Sequence, residues 1–170
     1  MGKPQDNRQI LIIYKVKMRD FIIKTVSTFF YVGYLPLIPG TFGSLAGVFL
    51  FYIMRGSSFT HALVTLLLFW LGFLVSGKAE KLFQRKDPSF VVIDEVSGML
   101  LSLLFIPFDS RFIILAFILF RLFDTLKPYP IDKLQDLKGS RGIMCDDLVA
   151  GLYANVVLQI VFRLVSFKAS

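Results

Sequence analysis

Two adjacent carboxylates, Asp146 and Asp147, stand at the mouth of an apolar run, 148–162. An ionised Asp at the centre of a membrane helix costs about 2.5–3.5 kcal/mol, so an acid pair at such an edge needs a cationic partner, a metal ion or open water. Two further acids, Asp94 and Glu95, sit near the start of a second apolar run, 90–108, and Asp124 lies at the end of a third, 112–126. Clustered carboxylates repel one another and attract a hard cation. Magnesium suits such a set: it takes oxygen ligands, retains waters, and is shared between one or two carboxylates and a substrate phosphate. Neighbouring residues on a helix point about 100° apart. Within each doublet, one acid is therefore expected to touch the metal and the other to serve a neighbouring role. Arg121, Lys127 and Arg141 are the nearby cations able to hold phosphate oxygens. The turn over 33–44 carries Gly40, Thr41, Gly43 and Ser44 and opens a helix whose first N–H groups could take a phosphate.

Whether these residues meet depends on the elements that carry them. The chain of 170 residues is 55% hydrophobic with 19 Phe and has a mean hydropathy of +0.68, a membrane-protein composition. Its net charge of +7 is spread between the apolar runs, not gathered in a block, which argues against nucleic acid as a partner. The one cysteine, Cys145, excludes an internal disulfide framework, and no CxxC offers a zinc or redox site. No small-x-small cleavage site closes a short apolar core at the N-terminus, so the apolar runs are expected in the mature protein.

In chain order, 10–34 reads as a basic amphipathic helix on the membrane surface. Two prolines and three glycines within 33–44 break it. Helices are then expected over 41–54, capped by Thr41 or Ser44, and over 61–76, 90–108, 112–126 and from Asp146 to about 165. Runs of this size make helices about 21–29 Å long, marginal for a hydrocarbon core of about 30 Å. If 1–40 is cytoplasmic and five helices alternate, that side holds six Lys/Arg in 1–40, four in 77–89, four in 127–145 and Arg121. The far side holds Arg55, Arg111, Arg163 and Lys168, a strong positive-inside asymmetry. The expected fold is an all-α integral membrane protein, with an N-terminal interfacial amphipathic helix and Pro/Gly loop followed by about five short transmembrane helices. It divides into a basic extension with the interfacial helix (1–32) and a membrane-embedded domain (33–170).

That topology puts Asp94, Glu95, Asp124, Asp146 and Asp147 at one depth on the cytoplasmic face. Singly, each has a plainer explanation. Asp146-Asp147 could cap a helix, Asp124 could pair with Arg121 one turn away, and Gly98 and Gly151 near the doublets could signal close helix packing. Together these account poorly for two acids a turn inside an apolar run. The set points to metal-dependent phosphate transfer or hydrolysis on a lipid phosphate. A cysteine phosphatase would need Cys-x5-Arg, and position 151 is Gly; histidine phosphatases need at least two His, and only His61 exists. A cation transporter using the same acids as ion ligands is the alternative, weakened by the absence of ionisable residues near mid-depth.

Pro39-Gly40-Thr41-Phe42-Gly43-Ser44, Asp94-Glu95-Val96-Ser97-Gly98-Met99, the segment from Phe120 through Arg121, Asp124 and Lys127 to Ile131, and Gly142-Ile143-Met144-Cys145-Asp146-Asp147-Leu148-Val149-Ala150-Gly151 resemble phosphatidylglycerophosphatase A in the family's order, over about 33–157. The family's usual Gly-Gly before the last motif is Gly139-Ser140 here. The resemblance implies a magnesium-dependent enzyme of the bacterial inner membrane that converts phosphatidylglycerophosphate to phosphatidylglycerol. Asp94, Glu95, Asp124, Asp146 and Asp147 would be its acidic site, with Arg121 and Lys127 beside them. The N-terminus and site are expected on the cytoplasmic side and the C-terminus outside.

Overall fold

The structure, a computed structural model, describes the backbone of residues 7–169 and the side chains of 14–167. The apolar runs fold as helices: α1 (Asn7–Ser27), α2 (Pro39–Ile53), α3 (Ser58–Phe83), α4 (Ile93–Ser102), α5 (Ser110–Leu126), α6 (Ile131–Leu134) and α7 (Ser140–Ala169). A 3-10 turn, Val32–Tyr34, joins α1 to α2, and among the described residues no strand forms.

Several boundaries differ from those expected. α1 stops at Ser27 and not near Tyr34, because Phe29, Phe30 and Tyr31 take φ of 45°, 54° and 69°. α2 begins at Pro39, whose fixed φ suits a first helical turn and whose missing N–H needs no partner. Thr41 and Ser44 are therefore interior to α2 and do not cap it; the Ser44 hydroxyl donates to the Gly40 carbonyl (2.9 Å). α3 is capped by Ser57, whose Oγ accepts from Thr60 N (3.2 Å), and continues past the apolar run to Phe83. α7 starts six residues ahead of Asp146. Gly142 makes that possible, since a Cβ there would overlap the Leu137 carbonyl. Asp146 and Asp147 thus lie in the second turn of α7, not at its cap.

The largest difference is α4. The run 90–108 makes a helix of only ten residues, about 15 Å long, and ends in turns at Leu103–Phe105. A helix ending inside an apolar bundle leaves carbonyls that no water can satisfy. α7 answers them: Asn155 Nδ2 donates to the carbonyls of Ser102 (3.0 Å) and Leu104 (2.8 Å), and Gln159 Nε2 to that of Leu104 (3.2 Å). From α3, His61 Nε2 bonds the Leu100 carbonyl (2.9 Å), so this histidine ties two helices together.

α4 is the axis of the molecule, with Ile93, Val96, Met99 and Leu100 fully buried and α2, α3, α5 and α7 packed around it. Glycines set the spacing. A Cβ on Gly151 would overlap the Gly98 carbonyl, and one on Gly47 would sit 2.9 Å from the Met99 Cβ. The outer surfaces are apolar: Leu63, Leu67 and Trp70 of α3 and Val156, Ile160 and Leu164 of α7 are exposed. Segments Ser58–Leu82 and Ser140–Phe167 are long and apolar enough to cross a membrane, with only 22% of the apolar window of each buried. A soluble protein's core helix would bury far more than that. α1 packs on α3, with Ile23 and Ala79 in one buried cluster, and leaves Phe21, Ile22, Lys15 and Lys17 exposed.

Candidate active site

One end of the bundle holds a cavity of about 330 Å³. The first turns of α2, α4 and the early part of α7 meet there with the last turn of α5. All five acids from the sequence line it: Asp94 and Glu95 from α4, Asp124 from α5, Asp146 and Asp147 from α7. Asp94, Asp146 and Asp147 are about 95% buried. Close packing of α4 on α7 at Gly98 and Gly151 brings their doublets together. Glycine contact and acid convergence, which the sequence offered as rival explanations, are one geometric fact.

The five acids fall into two groups. Asp94, Glu95 and Asp147 each offer an oxygen, and these three oxygens lie within 4.8 Å of one another. Asp94 Oδ1 also accepts from the Glu95 backbone N–H (3.0 Å). Asp124 and Asp146 instead face cations: Arg121 Nη1 is 2.7 Å from Asp124 Oδ2, and Lys127 Nζ is 2.7 Å from Asp146 Oδ2. The sequence left a cationic side chain, a metal ion or open water as the partner of this acid pair, and its clustered acids favoured a metal; the structure places Lys127 beside Asp146 and leaves Asp146 Oδ1 buried with no hydrogen-bond partner. Glu95 Oε2 is likewise buried and unpartnered. Unpaired buried oxygens are costly, and three mutually close carboxylates plus these two lone oxygens match the donor set of a hard cation.

Lys127 is the C-cap of α5, with φ of 44°. Burial would lower its basicity, but the Asp146 hydrogen bond and the charges of Asp146, Asp147 and Asp124 hold its ammonium above the ordinary value. Removing one member of such a pair strands the other. Lys127→Met should cost at most about 3 kcal/mol, since lysine is partly exposed. The double variant Lys127→Met/Asp146→Asn should recover much of that loss. Thermal unfolding of the four species in a double-mutant cycle checks this, and additive losses would show that the pair is not coupled.

Of the expected phosphate-binding residues, Gly40, Arg121 and Lys127 line the cavity. A Cβ on Gly40 would fall 2.5 Å from Glu95 Oε1 and 3.2 Å from Arg121 Nη1, so the missing side chain keeps the cradle open. Thr41, Gly43 and Ser44 are not brought to the cavity: Ser44 is fully buried and Gly43 packs on Val92 and the Glu95 Cβ. Arg141 is exposed in the first turn of α7 and lies outside the lining. The sequence reading missed Asp87 and Ser89, which also line the cavity. Asp87-Pro88-Ser89 sits just before the 90–108 run, and its turn chemistry was the signal available. Asp87 has φ of 44°, a left-handed conformation that Asp tolerates.

Fold and site together define a helical, apolar bundle with an acidic, metal-competent cavity and two cations at one end. The family model described as phosphatidylglycerophosphatase A matches residues 25–162, and the chain belongs to that family, one of phosphoric monoester hydrolases. A protein of Escherichia coli named phosphatidylglycerophosphatase A is 33% identical over 132 residues, covering 76% of this chain and 77% of its own. One of Haemophilus influenzae with the same name is 38% identical over 130 residues, covering 74% and 80%. A Bacteroides thetaiotaomicron protein, provisionally named a phosphatidylinositol-3-phosphatase, is 32% identical over 154 residues, covering 85% and 96%. No solved structure matches the chain at a significant level.

Proposed function

We propose that this protein is a magnesium-dependent lipid phosphatase of the bacterial inner membrane that hydrolyses the terminal phosphomonoester of phosphatidylglycerophosphate to phosphatidylglycerol. The observation that carries the reading is the convergence of five carboxylates, Arg121 and Lys127 in one cavity of a chain of this family. Asp94, Glu95 and Asp147 would hold the metal, with Asp124 and Asp146 beside them. When bound, the ion supplies Lewis-acid polarisation of a phosphoryl oxygen. Arg121 and Lys127 bind the phosphate and offset charge on its equatorial oxygens as the P–O bond to glycerol breaks, and Gly40 leaves the space it enters. One site carboxylate either takes the proton of the attacking water and returns it to the departing glycerol oxygen, or itself attacks phosphorus to form an acyl phosphate that water then hydrolyses, its proton balancing the departed alkoxide; trapping a covalent phosphoenzyme separates the two routes. Nothing in the comparisons favours cation transport.

About five crossings, by α2, α3, the segment around α4, α5 and α7, with the N-terminus and site cytoplasmic and the C-terminus outside, agree with the distribution of Lys and Arg. The basic 1–32 segment then lies at the membrane surface, and its first six residues fall outside the described ones.

Purified protein in detergent should release phosphate from phosphatidylglycerophosphate with Mg²⁺, lose all measurable release in excess EDTA, and regain it when Mg²⁺ is restored. Release that survives EDTA sinks the metal. Because one relative's name points to another lipid monoester, phosphatidylinositol 3-phosphate belongs in the same assay. Faster turnover of that lipid would overturn the substrate while leaving the reaction class standing.

A further inference from the structure

The seam between α3 and α7 is lined by residues separate from the acid cavity, and its lining is of two kinds. At one end, Lys78, Lys81 and Lys138 line a hollow of about 580 Å³, with Glu80 its one acid and Phe73 and Leu74 its apolar side chains. Lys78 and Lys81 also border a neighbouring hollow with Arg19, itself paired to Asp20 at 3.1 Å. Further along the seam, a hollow of about 460 Å³ is lined by apolar side chains, among them Leu66, Phe69, Leu101 and Leu152. Its one hydroxyl, on Thr65, already donates to the His61 carbonyl (2.8 Å). Phe69 and Phe73, one from each hollow, meet edge to face at 4.8 Å, so the two adjoin. Ala62, Leu66, Phe69, Phe73 and Gly77 recur at helical spacing and form one stripe of α3. That stripe is about 22 Å long, more than one leaflet's half of a hydrocarbon core of about 30 Å.

A basic mouth above an apolar track has the chemistry of an anionic phospholipid. We propose that the seam binds one, its phosphate among Lys78, Lys81 and Lys138 and an acyl chain laid along Phe73, Phe69 and Leu66. This lipid is not the substrate. The seam shares no lining residue with the acid cavity, and Leu148 and Leu152 point roughly opposite to Ile143, Asp146 and Asp147 around α7. Each lysine near a membrane surface favours an anionic headgroup roughly fivefold, so three outweigh the single Glu80.

Native mass spectrometry of the full chain tests this, using phosphatidylserine, which is neither substrate nor product of the proposed reaction, against phosphatidylcholine. The wild type should retain phosphatidylserine over phosphatidylcholine by at least tenfold. Lys78→Gln/Lys81→Gln/Lys138→Gln should lose that preference, while Lys15→Gln/Lys17→Gln/Lys86→Gln, which removes as many exposed charges elsewhere, should keep it. Both triples should melt with the wild type and release phosphate as it does. Equal loss in both triples would reduce the effect to diffuse surface charge and overturn the site, as would a preference that survives the first triple. A lipid-free dimer would make a second copy of the chain the occupant instead. The lipid-retention outcomes do not depend on the phosphatase reading, which stands or falls on phosphate release.

Discussion

Asp147→Asn should reduce phosphate release by roughly 10²–10³-fold, the usual effect of removing one fixed electrostatic group from a reacting centre. The amide keeps the shape of the side chain and discards its charge. Asp147 is buried, and one of its oxygens lies within 4.8 Å of oxygens of Asp94 and Glu95, so without a cation the wild-type trio opposes folding. The variant should therefore melt at or above the wild-type temperature in EDTA, a gain in stability bought with activity. With Mg²⁺ the order should reverse. A ligand held by the folded state at a hundred times its Kd adds about 2.7 kcal/mol, and the variant should forgo much of this. Two measurements of opposite sign, melting with and without Mg²⁺, separate the loss of a ligand from simple misfolding. Asp132→Asn, an exposed acid of α6 outside the cavity, should change neither. Normal turnover by Asp147→Asn would remove the residue from the site. An undiminished Mg²⁺ effect would put the metal elsewhere.

The acids were legible because their cost is local: a carboxylate one turn inside an apolar run is anomalous in any single-sequence reading, and five at matching ends of three runs point to one end of a bundle. The structure gathers all five in one cavity. How they are partnered was less legible. Arg121 and Asp124, three residues apart on one helix, could be paired from sequence. Lys127 and Asp146 are 19 apart and meet only because α5 packs against α7. The shortness of α4 was hidden for the same reason. Hydropathy sees the whole apolar run 90–108, but the carbonyls that let it stop at Ser102 are satisfied by Asn155 and Gln159, more than fifty residues away. Asp87 escaped notice because a turn acid before a proline looks like solvent-exposed loop. Arg141, read as a phosphate ligand by its nearness in sequence to Asp146, is carried outward because α7 begins before it.

Gly151→Ala should be among the most damaging single-methyl changes in this chain. The added Cβ would overlap the Gly98 carbonyl, and backbone cannot swing aside as a side-chain tip can. Added core methylenes cost about 1–3 kcal/mol, and a site where backbone faces backbone belongs at the upper end. The alternative to unfolding is to push α7 off α4, which separates Asp147 from Asp94 and Glu95. A misplacement of about 1 Å at a reacting centre costs roughly 10²-fold in rate, so phosphate release per folded molecule should fall even where the variant survives purification. Gly98→Ala should behave similarly, its Cβ meeting the Asp147 carbonyl at 2.6 Å and the Phe120 ring at 2.7 Å. Gly56→Ala is the contrast. It lies in the turn between α2 and α3 with open space around it and φ of 95°, so it should cost about 1–2 kcal/mol of backbone strain and leave release per folded molecule unchanged. Full activity in Gly151→Ala would mean that the close α4–α7 contact does not hold the two acid doublets in register. The glycines would then be packing features alone, and the convergence of the carboxylates would need another cause.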